Sequence, residues 1–199
     1  MKVIGLCGGT GSGKGYVSKI FGEFDIPSID TDALYHELIS HKSLCSSELV
    51  DAFGENILNS DGTISRKQLS TVVFSDKSGK KIKLLNRISH KHILAECRNI
   101  IKSYENEGKS AVIVDAPLLF ESGFNSECDT VIAVISNPDL RIKRVMERDN
   151  ISRQRVIERI LNQVSDEYLI ANSDYVIYNN SDYNAVYVQA EKIIKEINL

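Results

Sequence analysis

Two rhythms of apolar residues divide the chain. Val3-Ile4-Gly5-Leu6-Cys7, Ala111-Val112-Ile113-Val114, Thr130–Ile135 and Tyr175-Val176-Ile177-Tyr178 are short uninterrupted runs. Such runs predict strands buried on both faces, as in a parallel sheet. Ile26-Pro27-Ser28-Ile29 is a shorter run of the same kind and predicts a further strand. Between residues 33 and 105 the rhythm changes to a helical period, with helices predicted over Ala33–Ile39, Ser46–Phe53, Arg66–Phe74 and Ile82–Tyr104. In the last of these, Ile82, Leu85, Ile88, Ile93, Leu94, Cys97, Ile100 and Ile101 form one stripe. Asn59-Ser60-Asp61-Gly62 marks a turn inside this region. Helices are also predicted from Tyr16, from Asn137-Pro138-Asp139, through Arg153–Arg159 and over Ala185–Ile197. Strands alternating with helices predict an α/β fold, interrupted by a long helical insertion that is a candidate substrate domain.

The chemistry concentrates at Gly8–Gly15, "GGTGSGKG", between the first strand and the first helix. Gly8 and Gly13 frame the G-x-x-x-x-G-K spacing of a P-loop, and Lys14 follows at once. Glycines let backbone N–H groups curl round an anion, and the helix N-terminus adds the positive end of its dipole. The bland alternative is a glycine-rich turn without a ligand. Four glycines, a lysine and the strand–helix context together favour nucleotide binding. One position departs from the pattern: Gly15 stands where Ser or Thr normally supplies a hydroxyl to Mg²⁺.

Asp30 and Asp32 follow the second predicted strand. Residues there either cap the next helix or present a carboxylate at the carboxyl end of the sheet, where ligands bind. Spacing alone leaves both readings open. Asp115 ends the third predicted strand and matches the acid that positions Mg²⁺ in P-loop proteins. Arg141, Arg144 and Arg148 share one helix face, and Arg153, Arg155 and Arg159 follow on the next helix. A solvated charged face is the ordinary reading of such a pair, but its place after the fourth strand favours a mobile lid. His90 and His92 do not share a helix face and are not expected to bind metal.

Bulk properties narrow the partners. The 199 residues carry a formal net charge of −3, with a pI near 5.8, which argues against a nucleic-acid binder driven by bulk electrostatics. Cys7, Cys45, Cys97 and Cys128 are scattered without metal spacing and read as reduced thiols. The apolar start is too short for a signal peptide, and no stretch approaches the roughly 20 apolar residues of a membrane span. A cytoplasmic protein without nucleic-acid or membrane partners is expected.

Taken in order, the motifs resemble those of the dephospho-coenzyme A kinase family over nearly the whole chain. They are "GLCGGTGSGKG" at Gly5–Gly15, "IDTD" at Ile29–Asp32, "FGENIL" and "DGTISRKQL" within residues 53–69, and "VFSD" at 73–76. "LLNRISH" ending at His90, "DAPLLFE" at Asp115–Glu121, "RIKRVMERDNIS" at Arg141–Ser152, "RILNQ" ending at Gln163 and "DYVIYNN" ending at Asn180 complete the series. The resemblance implies a P-loop kinase fold: a five-stranded parallel sheet flanked by helices, with a helical substrate-binding insertion and a lid. The implied division is a nucleotide-binding core at 1–32, 106–140 and 170–199, a substrate domain at 33–105 and a lid at 141–169. It implies transfer of the γ-phosphate of ATP, with Mg²⁺, to the ribose 3′-hydroxyl of dephospho-coenzyme A. Asp32 is then the general base. Gly9, Gly11, Ser12, Gly13, Lys14, Gly15 and Tyr16 hold ATP, with Lys14 also catalytic. Arg144 and Arg148 lie near the nucleotide and Asn179 and Asn180 near adenine, while Arg66, His90 and Leu118 contact the acceptor and Asp115 serves Mg²⁺. The chain departs from the family at Gly15, at Tyr16 and at His90-Lys91, where the family has His-Pro. The alternatives are another small-molecule P-loop kinase, of the nucleoside monophosphate type, or a nucleotide-binding homologue with impaired catalysis.

Overall fold

Five strands pair side by side, all parallel, in the order β2-β3-β1-β4-β5. They are β1 (Lys2–Cys7), β2 (Ser28–Asp30), β3 (Ala111–Asp115), β4 (Thr130–Ile135) and β5 (Tyr175–Tyr178). The computed structural model describes residues 1–199, which divide into two units: Met1–Asp30 with Ile101–Leu199, and Thr31–Ile100.

The sheet and its helices make the first unit. Every residue of β3 and β4 is buried, which explains why those runs lack polar alternation. Helix α1 (Lys14–Gly22) buries Val17, Ile20 and Phe21, and α9 (Tyr183–Glu196) buries Val186, Ala190, Ile193 and Ile194. These join Ile4, Leu6, Ile113, Ile132, Val134 and Ile177 in one apolar cluster. Helices α6 (Pro138–Asp149) and α7 (Arg153–Leu161) meet through Ile142, Val145 and Val156. Asn137 starts α6 by accepting from the Asp139 amide, and Asn150 ends it in the left-handed region at φ 51. A six-residue helix, α8 (Asp166–Ala171), follows α7 and precedes β5.

Two details differ from the reading of the sequence. Strand β2 begins at Ser28, not Ile26, because Pro27 has no N–H to give a ladder; its carbonyl accepts from the Ile113 amide at 2.8 Å instead. Helix α8 is absent from that reading, since six residues with only Leu169 buried show no helical period.

The second unit contains α2 (Thr31–Ser40), α3 (Leu44–Phe53), α4 (Arg66–Phe74) and α5 (Lys80–Asn106) as far as residue 100. Its core is Ile39, Cys45, Leu49, Phe53, Ile57, Ile64, Leu69, Val73 and Ile88. Ser43 caps α3 through a capping box with Ser46. An antiparallel bridge between Leu58 and Ile64 closes the turn expected at Asn59–Gly62. Without a proline after His90, α5 runs unbroken for 27 residues. No helix is long and apolar enough to cross a membrane.

Burial sets the stability contrast within the first unit. Ile132 is wholly buried and Leu161 is 77% exposed. Ile132→Val is expected to cost about 1 kcal/mol, whereas Leu161→Ala stays within about 0.5 kcal/mol. Urea unfolding of the two variants beside the parent checks this ordering.

Candidate active site

The carbonyl groups of the loop between β1 and α1 are taken up one after another. Gly9 O accepts from the Ser12 amide at 3.0 Å, Thr10 O from Arg141 Nε at 2.9 Å, and Gly11 O from Arg144 Nη1 at 3.4 Å. Ser12 O accepts from Asn179 Nδ2 at 2.8 Å, and Gly13 O from the Tyr16 and Val17 amides. Five successive carbonyls are thereby bound to donors of the protein itself. The first N–H groups of α1 have no intrahelical acceptor, so this end of the helix offers donors and positive potential to an anion. Gly13 caps α1 at φ 93, and a Cβ there would lie 2.1 Å from Asn179 Nδ2. No other residue fits. Ser12 is almost completely buried and its Oγ has no hydrogen-bond partner, as expected of a group awaiting a ligand.

Around the loop stand several of the residues singled out from sequence. Lys14 Nζ lies 3.4 Å from Asp115 Oδ1, and Ser18 Oγ lies 3.5 Å from Asp115 Oδ2. Beneath them, burial pushes the Cys7 thiol up to about 11, which keeps it protonated and uncharged below the loop. Arg144 reaches Ser136 Oγ at 3.0 Å and Asn179 O at 3.1 Å, so it is fixed against the loop and the end of β5. Asn180 Oδ1 accepts from the Asn137 amide at 2.6 Å. Arg148 pairs with Asp149 at 2.7 Å, and Arg159 reaches the same carboxylate at 2.6 Å. The Arg148 hydrogen bond, with Arg159 adding to it, holds the Asp149 carboxyl down at about 2. Leu118 is 41% exposed in the turn after β3.

Position 15 is open. A Cβ on Gly15 would meet nothing within 4 Å, so the lost hydroxyl leaves room without strain. Gly15, Ser18, Lys19, Gly22, Ile26, Pro27, Ser28, Asp30 and Asp115 line a cavity of about 360 Å³. Asp30 belongs here although the motif reading gave it no definite role. Strand register pairs it with Asp115, which in turn pairs with Leu6, so the two carboxylates occupy neighbouring positions in one row at the carboxyl end of the sheet. Tyr16 turns its ring edge-on to Tyr183, with centroids 5.9 Å apart. The Tyr183 hydroxyl donates to Glu23 at 2.7 Å, which drives its pKa up to about 12.

In the helical unit, Asp32 is exposed in the first turn of α2 and Arg66 is exposed at the start of α4. His90 is half-buried in α5. Burial raises the Tyr35 hydroxyl pKa. Lys91 and His92 both meet Glu48, at 2.8 and 2.7 Å, so the second histidine has a structural partner. No group of three or more His, Cys, Asp or Glu residues is arranged to hold a metal, and the four cysteines are free.

Residues 2–185 match the family model described as dephospho-CoA kinase. A dephospho-CoA kinase of Bacillus cereus is 36% identical over 197 residues, covering 99% of this chain and 98% of its own. Among solved structures, a Thermus thermophilus protein aligns with a TM-score of 0.83 at 26% identity, over 100% of this chain and 98% of its own. A dephospho-CoA kinase from Campylobacter jejuni aligns with a TM-score of 0.71 at 28% identity, over 99% and 98%. The chain belongs to the dephospho-CoA kinase family.

Proposed function

We propose that this protein transfers the γ-phosphate of ATP to the ribose 3′-hydroxyl of dephospho-CoA, releasing CoA and ADP. The observation that carries the reading is the curled loop Gly8–Gly13 with Lys14 beside Asp115, in a chain of this family. On this reading Gly9, Gly11, Ser12, Gly13, Gly15 and Tyr16 line the polyphosphate site, with the amides not already bonded inside the loop and the unpartnered Ser12 hydroxyl as its donors. Lys14 exchanges Asp115 for the β- and γ-phosphates and offsets the charge that builds up during transfer. Arg144 borders the same anion from α6, and Arg148 belongs to the lid of residues 141–169. Asn179 and Asn180 flank the base.

Asp32 accepts the proton of the acceptor hydroxyl, which leaves the oxygen free to attack phosphorus. Arg66, His90 and Leu118 bind dephospho-CoA, and residues 33–105 are its binding domain. The reading includes Mg²⁺, which would neutralise phosphate charge. Asp115, with Asp30 next to it in the sheet, is a suitable acidic donor set, because Mg²⁺ takes one or two carboxylates and fills its shell with water and phosphate oxygens. Gly15 gives no hydroxyl to that shell. We place the protein in the cytoplasm, in keeping with four free thiols.

An ADP-release assay with dephospho-CoA, AMP, adenosine or no acceptor tests the activity. Turnover with dephospho-CoA alone is expected, and turnover confined to AMP would overturn the reading. Asp32→Asn should lower kcat by about 10²- to 10⁴-fold while leaving ATP affinity within twofold; an unchanged kcat removes Asp32 as the base. Gly15→Ser has space for its side chain. One added oxygen near the cation should lower the half-saturating Mg²⁺ concentration by roughly three- to tenfold, read from ATP titrations at graded Mg²⁺.

A further inference from the structure

Gln163 ends the motif "RILNQ" and has no part in the chemistry above. It stands two residues beyond α7, yet its Oε1 accepts the Thr10 amide at 2.8 Å. The carbonyl of the same residue is held by Arg141 Nε at 2.9 Å. Arg141 is only 3% exposed, and its Nη1 binds both oxygens of Asp166, at 2.8 and 2.9 Å. Its Nη2 lies so close to Gly9 that a Cβ there would be 2.1 Å away. One residue of the phosphate loop is therefore gripped through both its N–H and its C=O. The three side chains come from α6, the α7–α8 connection and the start of α8, none from the loop itself.

We propose that Gln163 is a positioning residue of the phosphate site, with the Arg141–Asp166 pair as its support. The inference rests on the phosphate-binding reading of the loop. A glycine-rich segment has more backbone freedom to lose than any other, and a site that must order itself on binding loses affinity by that amount. By fixing the orientation of the Thr10 peptide, Gln163 keeps the loop curled before polyphosphate arrives. It engages the Thr10 amide itself, which is thereby withheld from the anion. Its effect is exerted on the neighbouring peptides of the loop. A purely architectural contact, pinning α8 to the sheet, would have a different signature: lower stability with unaltered anion affinity.

Gln163→Ala separates the two, because Gln163 is neutral and half-buried and its removal strands no charge. Calorimetric titrations with ATP and with inorganic tripolyphosphate should show both weakened by about two- to twelvefold, the worth of one well-formed hydrogen bond. KM for ATP should rise in step, with kcat and KM for dephospho-CoA within twofold, and Tm within about 2 °C of the parent. Exchange of the Thr10 amide with solvent should accelerate, followed by NMR. Unchanged tripolyphosphate affinity in Gln163→Ala overturns the proposal. So does a loss of affinity that comes only with a large fall in Tm and kcat. If the parent itself binds neither ATP nor tripolyphosphate, the phosphate reading fails first and takes this inference with it.

Discussion

A phosphate loop must hold its backbone in a curl that no secondary-structure ladder supports. Here the constraint is met by pairing the carbonyls. From Gly9 to Gly13 each oxygen has a donor, and three of the five are held by side chains: Arg141, Arg144 and Asn179. Two come from α6 and one from the end of β5, so the sheet order that puts β4 beside β1 and β5 beside β4 is what makes the loop possible. A buried carbonyl left without a donor costs about 1–3 kcal/mol, comparable with a large share of the stability of a small domain. The arginines were therefore bound to be held in place. Removing Asp166 would strand the Arg141 guanidinium, a change of the class that costs about 3–5 kcal/mol.

Charge around the loop is arranged on the same scaffold. Register sets Asp30 and Asp115 side by side, two like charges at the end of the sheet. Lys14 lies against Asp115 and offsets part of that repulsion, with both side chains largely out of solvent. A pair in this setting gains less than its Coulomb attraction suggests, since both partners lose hydration. That makes Lys14 easy to recruit: a polyphosphate offers more charge than one carboxylate. On the proposed reading the exchange also frees Asp115 to face a cation. The acidic row and the lysine are two parts of one balance.

Much of this was legible in the sequence. The apolar runs of β3 and β4 located the central strands to the residue, and the loop announced itself through Gly8, Gly13 and Lys14. The helical insertion was visible because a stripe of apolar residues over 20 positions leaves little doubt about period. What stayed hidden depends on distance in sequence. Arg141, Arg144 and Arg148 look alike at spacings of three and four. Yet the first is buried under Thr10, the second braces Ser136 and Asn179, and the third faces Asp149. Periodicity says which residues share a face and not what that face meets. The role of Gln163 and the pairing of Asp30 with Asp115 stayed hidden for the same reason, since the partners lie 153 and 85 positions away.

The departures at Gly15 and Tyr16 take on a narrower meaning in this light. Neither side chain contributes to the carbonyl pairing, and the loop is curled without them. Gly15 opens space and strains nothing. Tyr16 donates its amide to Gly13 O as any residue there would, while its ring leans on Tyr183 on the far side of α1 from Ser18 and Asp115 in the helical rotation. On the proposed reading the part of the site that would hold the anion is thus independent of the position that normally serves the cation. On the same reading a chain can lose the hydroxyl after its lysine and keep a formed phosphate loop, because the hydroxyl belongs to metal coordination and the curl belongs to α6, β5 and the α7–α8 connection.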